Sequence, residues 1–286
     1  MDIKQKKLNI VIFGAAGSIG SYLAERYYNL GHHLSLIVKN KLHEKKLKNV
    51  LLNKKKQKII FKILNYKNEN NLKKFILKNR NLFKNSDLLI NCLGEQGEVK
   101  NFFKMNLKKF LKTININFLF NVYLLKFIYP IVKDKKNLLI ILFSGGGSLS
   151  FRENFSGYSI SKTSLIKFTE IISQEFKNKK IRANIIAPGI VDSKMTKKII
   201  NLKNKSLIKN EVKRINKFID KSDKTKEKIY LTINFLNSKK GKNISGKIIS
   251  SMWDNPMQWS KRKIKRIMDC QLYTLNRKVG KNEKNN

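Results

Sequence analysis

Cysteine is nearly absent from this 286-residue chain. Its two copies, Cys92 and Cys270, lie far apart and without metal-ligand spacing, so neither a disulfide framework nor a metal centre is expected. A reduced, cytoplasmic protein is the simplest expectation. No long apolar stretch suggests a transmembrane helix, which leaves no reason to expect a membrane partner. Met1-Asp-Ile-Lys-Gln-Lys-Lys7 leads straight into an apolar strand, and no signal peptide is expected. Internal repeats are lacking, as is any linker long enough to divide the chain.

Arginine is scarce as well. Of 62 basic residues only eight are arginine, although the net charge reaches +43. The lysines are spread along the whole chain beside abundant Asn and Ile, residues that share A/T-rich codons, so codon composition accounts for the charge. Nucleic-acid readers cluster their positive charge and use arginine forks, and no specific nucleic-acid partner is expected here. One local cluster, Lys261-Arg-Lys-Ile-Lys-Arg266, lies in a basic C-terminal extension, residues 257–286. It is either a grip on an anionic substrate or a solvated helix face, and the second reading is favoured.

What the chain does contain is an alternation of apolar strands and helical patterns. Strands are expected at 8–13, 34–38, 58–63, 87–91, 137–143, 181–187 and 246–250, and helices at about 18–30, 68–83, 105–133, 156–178 and 224–237. That order predicts an α/β fold, a doubly wound parallel sheet with helices on both faces, as a single domain over residues 1–256. Ligands in such folds gather at the carboxyl ends of the strands. The Lys- and Asn-rich region 192–223 is expected to form a substrate lid.

Two motifs carry chemistry. The first strand runs into Gly14-Ala-Ala-Gly17-Ser-Ile-Gly20 and then a helical segment, the context of a dinucleotide-binding loop. There Gly14 makes the tight turn, Gly17 lets backbone approach the diphosphate, Gly20 allows close packing, and the helix N-terminus offers N–H groups to phosphate. The second motif is Tyr158 followed four residues later by Lys162, a spacing that puts both on one helix face. An adjacent fixed cation favours the phenolate and lowers a phenol pKa. The pair can therefore move a proton on or off an alcohol oxygen.

The Gly-x-x-x-Gly-x-Gly spacing together with Tyr-x-x-x-Lys resembles the short-chain dehydrogenase/reductase family, from about residue 8 to about 254. Asn91-Cys-Leu-Gly94, Asn115 in Thr-Ile-Asn-Ile-Asn-Phe, Ser144 and Pro188-Gly189 follow in the family's order. The resemblance implies a Rossmann-like three-layer sandwich and a nicotinamide cofactor. It implies Tyr158 as proton donor or base, Lys162 as its cationic partner and ribose contact, Ser144 on the substrate oxygen, and Asn115 holding a water. Ser144 stands fourteen residues before Tyr158, where the family has thirteen and this chain has Gly145; Ser148 is the reserve for Ser144, and Asn117 for Asn115. The implied cofactor contacts are Gly14, Ala16, Gly17, Ser18, Ile19, Gly20, Lys39, Asn65, Asn91, Leu93, Gly94, Tyr158, Lys162, Pro188, Gly189 and Val191.

No carboxylate ends the second strand, where NAD-specific sites place one. Val38 occupies that position and Lys39 follows it, so NADP(H) is expected over NAD(H), which remains possible. Asn65, Cys92-Leu93 and Phe118 depart from the family pattern. Ser-Gly-Gly-Gly147 and the closing Ile-Ser-Ser-Met-Trp-Asp254 resemble a subgroup associated with surface-polysaccharide synthesis. The expected function is carbonyl/secondary-alcohol interconversion on a small molecule, with a sugar or nucleotide-sugar as the implied class, in a homo-dimer or homo-tetramer. The alternatives are an epimerase or dehydratase that retains its cofactor, and a non-catalytic cofactor-sensing regulator.

Overall fold

Seven apolar runs, rich in Ile and Leu, form one parallel sheet in the computed structural model, which describes residues 6–51, 58–176, 180–202 and 208–276. The strands are β1 (Asn9–Phe13), β2 (His33–Val38), β3 (Ile59–Ile63), β4 (Leu88–Asn91), β5 (Leu138–Phe143), β6 (Ile181–Ala187) and β7 (Ile248–Ser250). Their spatial order is β3-β2-β1-β4-β5-β6-β7. Near-continuous hydrophobicity is what a parallel strand covered on both faces requires, and every residue of β5 is buried. Order reverses beside β1, whose Phe13 pairs with Ile37 of β2 on one side and Asn91 of β4 on the other. That reversal opens the crevice where such folds bind ligands.

Alternation along β1 shows how the layers are built. Ile10 and Ile12 point into one core, shared with Leu23, Ala24 and Tyr27 of α1 (Ser18–Asn29), Leu47 of α2 (Lys41–Leu51), and Ile229 and Ile233 of α10 (Ser222–Asn237). Val11 and Phe13 point into the other, with Leu72 and Ile76 of α3 (Glu69–Lys78), Phe83 of α4 (Arg80–Lys84), Phe120 and Leu124 of α6 (Phe120–Val132), and Leu165 and Ile166 of α7 (Ser156–Glu175). Each fully buried side chain of this kind contributes about 1.5–3 kcal/mol.

Several expected elements are corrected. The helix expected at 68–83 is two, because Asn79 ends α3 and starts α4 with its Nδ2 donating to the Phe75 carbonyl at 2.8 Å. The helix expected at 105–133 starts as α5 (Leu107–Ile114), capped by Asn106, and passes through a π-helical turn at Asn115–Leu119 before α6. By length and composition Leu107–Val132 could also cross a membrane, although no such stretch was expected; α6 instead lays Phe120, Leu124 and Ile128 on the sheet. Helix α2 was not expected, since its lysines mask a narrow apolar stripe. The region expected to form a lid holds α8 (Lys194–Ile200) and α9 (Lys209–Ile219).

Within the expected extension, α11 (Lys261–Asp269) buries Ile264 and Ile267 beside Trp259 in the first core, with the basic residues of Lys261–Arg266 facing solvent. Residues 177–178 of the helix expected at 156–178, 203–207 of the lid and 277–286 of the extension lie outside the described residues.

Candidate active site

The glycine turn after β1 is built for close approach. Gly14 has φ +68°, a left-handed conformation that disfavours a side chain. A β-carbon on Gly20 would overlap the Gly14 carbonyl oxygen and lie 2.9 Å from the Ala15 Cα. Helix α1 therefore starts hard against the strand end. Its N-cap is Gly17, without a side-chain cap, and no acidic residue lies in its first turn. Those first N–H groups suit a diphosphate. Ala16, Ile19 and Val191 pack partly buried against the adjoining core, and the Ser18 hydroxyl donates to the Asp192 carbonyl. Pro188 and Gly189 follow β6 directly, with the Pro188 carbonyl accepting from the Ser251 hydroxyl at 3.0 Å.

Asn91, the last residue of β4, braces the next loop. Its Oδ1 accepts from the Leu93 N–H at 3.0 Å, and its Nδ2 donates to Asn121 Oδ1 at 2.6 Å. Asn121 in turn donates to the Asn117 carbonyl at 2.9 Å. Asn117 is fully buried in the π-helical turn, a feature frequent at functional sites. Its amide closes two bonds on the Glu95 backbone, both 2.9 Å, and donates to Ser161 Oγ at 3.1 Å. A β-carbon on Gly94 would sit 3.5 Å from Asn117 Oδ1 and 3.6 Å from Lys162 Nζ. Asn115 is not at this place. Its Oδ1 accepts from the Tyr66 hydroxyl at 2.6 Å, on a different side of the helix. It is the reserve residue, Asn117, that the π-helical turn brings beside Gly94 and Lys162.

Tyr158 and Lys162 are both buried on α7, as their spacing requires. Lys162 Nζ donates to the Phe143 carbonyl at 3.0 Å and lies 5.8 Å from the Tyr158 ring centre. Burial brings the Lys162 ammonium down to about 8. Burial also pushes the Tyr158 phenol up, while the neighbouring charge that pulls it back belongs to Arg152, with Glu211 opposing. The sequence expectation named Lys162 as that cation.

Ser144 ends β5 with its hydroxyl 2.6 Å from that of Ser148. Ser148 gives its only proton to the Gly145 carbonyl at 2.8 Å, which leaves Ser144 as donor in the pair. Both expected serines thus belong to one buried network beside Tyr158.

Sequence reasoning missed a charged cluster above this network. Arg152 Nη2 donates to Glu211 Oε1 at 2.7 Å, its Nη1 donates to the Gly146 carbonyl at 3.3 Å, and its Cζ stacks 3.7 Å over the Phe155 ring. Arg214 reaches the same Glu211 oxygen at 3.5 Å. Its only signal in the sequence was rarity, two of the eight arginines in a lysine-rich chain.

Farther along the crevice, Lys39 and Asn65 are exposed just past the ends of β2 and β3. The imidazole of His43 nearby is pushed down by burial and by Lys194, Lys39 and Lys46, marking a concentration of positive charge. Beside Gly94 opens a cavity of about 650 Å³, lined by Glu95, Lys109, Lys112, Lys194, Met195 and Lys198 among others. Among the described residues no group of His, Cys, Asp and Glu could hold a metal.

Fold and site together form a crevice of the kind that binds dinucleotides. Residues 8–204 match the family model of the short chain dehydrogenases. The 3-oxoacyl-[acyl-carrier-protein] reductase FabG of Rickettsia typhi is 31% identical over 189 residues, 66% of this chain and 75% of that protein. A benzil reductase ((S)-benzoin forming) of Saccharomyces cerevisiae is 27% identical over 147 residues, 50% of this chain and 56% of that protein. Among solved structures, levodione reductase aligns with a TM-score of 0.74 at 18% identity, over 89% of this chain and 100% of that one. ElxO with NADP bound aligns with a TM-score of 0.69 at 21% identity, over 86% and 97%. The chain belongs to the short-chain dehydrogenase/reductase family.

Proposed function

We propose that this protein is an NADP(H)-dependent oxidoreductase that interconverts a carbonyl and a secondary alcohol on a small molecule, with a sugar or nucleotide-sugar of surface-polysaccharide synthesis as the substrate class. The observation that carries the reading is the convergence of Lys162 and Asn117 on Gly94, with Tyr158 one helical turn before Lys162 and against Gly145, at the carboxyl ends of β4 and β5 and beside an uncapped helix N-terminus.

The residues fit the cofactor. The first turn of α1 would hold the diphosphate, and Gly94 and Lys162 would face the nicotinamide ribose. When bound, the nicotinamide supplies or accepts the hydride. Tyr158 gives its proton to the carbonyl oxygen in reduction and takes one from the alcohol in oxidation. Lys162, with an ammonium near 8, is close enough to neutrality to exchange a proton at physiological pH. Asn117 acts by position, since both ends of its amide are held by the Glu95 backbone and it fixes the Gly94 loop against Lys162. Ser144 donates to the developing alkoxide once released from Ser148.

NADP(H) is favoured by the lysines around His43 and by the absence of a carboxylate at Val38. A homo-dimer or homo-tetramer is supported by exposed apolar side chains on the α5 and α7 surface, among them Leu107, Leu111 and Ile171. The test of the activity is NADPH consumption with a panel of carbonyl compounds and keto-sugar nucleotides. Consumption above background with one class supports the reading, and none with any of them counts against it.

A further inference from the structure

The cluster of Arg152, Arg214 and Glu211 has two features that a simple surface ion pair lacks. First, its Arg152–Glu211 half is enclosed, whereas Arg214 is 48% exposed. The Arg152 and Glu211 side chains are 11% and 13% exposed, and Arg152 Nε is buried with no hydrogen-bond partner. A guanidinium prefers to use both edges of its fork, so one donor of Arg152 is left over inside the site. Second, it converges on the chemistry. Arg152 Cζ lies 5.6 Å from the Tyr158 ring centre. A β-carbon on Gly146 would lie 2.8 Å from Arg214 Nη2 and 3.8 Å from Arg152 Nη1. Both guanidiniums are therefore drawn to the glycine loop that follows β5.

The two sides of this cluster come from different parts of the chain. Arg152 belongs to the loop between β5 and α7, whereas Glu211 and Arg214 belong to α9. The contact is continued by a small apolar cluster in which Phe155 packs with Ile199, Ile208 and Ile215. Two cations share one carboxylate oxygen, leaving a net positive charge beside the proton-transfer residue. A buried charge left short of partners is costly, and the missing partner has a defined chemistry, because Glu211 already shows what the fork accepts.

We propose that Arg152 and Arg214 form the subsite for a carboxylate on the substrate, and that Glu211 fills it when no substrate is bound. This rests on the oxidoreductase reading and narrows it: the substrate is an acid, with its carboxylate a few bonds from the reacting carbon. Glu211 then discriminates against neutral substrates, which cannot replace it on the arginines.

Calorimetric titration of the full chain, saturated with NADP⁺ and in moderate salt, tests this without turnover. The probe is malonate, compared with neutral malonamide and with inorganic phosphate. Malonate is expected to bind at one site, more tightly than phosphate, with malonamide undetected. Arg214→Gln, half-exposed and safe for folding, is expected to weaken malonate about tenfold or more, as is Arg152→Gln, while Glu211→Gln tightens it several-fold. A purely structural tether predicts instead that Glu211→Gln lowers stability and leaves malonate affinity alone. Unchanged malonate affinity in Arg214→Gln, or phosphate bound more tightly than malonate, overturns the proposal. Tyr158→Phe separates the two readings, because it stops turnover and leaves malonate binding intact.

Discussion

The Tyr158 hydroxyl occupies the space that a β-carbon on Gly145 would need, and such a carbon would also stand 2.8 Å from the ring carbons Cε1 and Cζ. Position 145 is the one where the family spacing calls for serine, thirteen residues before the tyrosine. Here Tyr158 leans into that gap, and the serine hydroxyls come from Ser144 and Ser148 instead. Restoring the spacing by Gly145→Ser is expected to push the tyrosine out of place and to lower kcat by about 10²-fold, the cost of an ångström-scale misplacement. Steady-state kinetics with the substrate found in the carbonyl screen checks this. A gain in rate would mean that serine belongs at 145.

Asn117 and Asn115 separate just as cleanly. Asn117→Ala leaves the Glu95 backbone groups without their side-chain partner, while Ser161 keeps its bond to the Tyr158 carbonyl, so it is expected to cost about 1–3 kcal/mol of stability and to reduce kcat through displacement of the Gly94 loop. Asn115→Ala loses one bond to Tyr66 at the edge of the site and is expected to keep near-wild-type turnover. Chemical denaturation and kinetics on the two variants decide the assignment.

Lys162 is kept at a cost in stability. Its folded value, about 8, lies below the roughly 10.4 of an exposed lysine, so the unfolded chain holds more protons between those values. Linkage then makes the cost full below pH 8 and relieves it as pH rises toward 10. Lys162→Met is expected to raise the melting temperature of the cofactor-free protein at pH 7, to flatten the pH 8–10 part of the stability curve, and to abolish turnover. A lower melting temperature at pH 7 would show that the bond to the Phe143 carbonyl outweighs burial of the charge.

Cofactor choice is expected to rest on Lys39 and on the missing acid before it. NADPH should bind more tightly than NADH. Lys39→Ala should weaken NADPH selectively, and Val38→Asp should shift preference toward NADH by supplying a carboxylate for the ribose hydroxyls. Fluorescence titration of both cofactors reads this directly, and equal affinities in the unmodified protein would remove the basis of the prediction.

Much of this was legible in the sequence because it is local. Strand–glycine–helix at 8–30 and the four-residue step from Tyr158 to Lys162 specify geometry through backbone periodicity alone, and the fold follows from the alternation of elements. What escaped depends on rotation or on distance. Asn117, not Asn115, lies beside Gly94 and Lys162, on a π turn that sequence spacing, which assumes a regular helix, does not show. Helix α2 hid under lysines that widen its polar face. The meeting of Arg152 with Glu211 joins positions 59 residues apart, through α9, whose packing on Phe155 no local pattern reveals.

The central claim, that Tyr158 moves the proton in a hydride-transfer reaction, is tested most directly by comparing Tyr158→Phe with the unmodified protein in NADPH-linked turnover and in NADPH binding. The phenol oxygen carries the chemistry while the ring only packs. The account predicts kcat reduced by about 10²–10⁴-fold, the range of general acid–base catalysis, with NADPH affinity nearly unchanged. Turnover at the unmodified rate on the same substrate would contradict it.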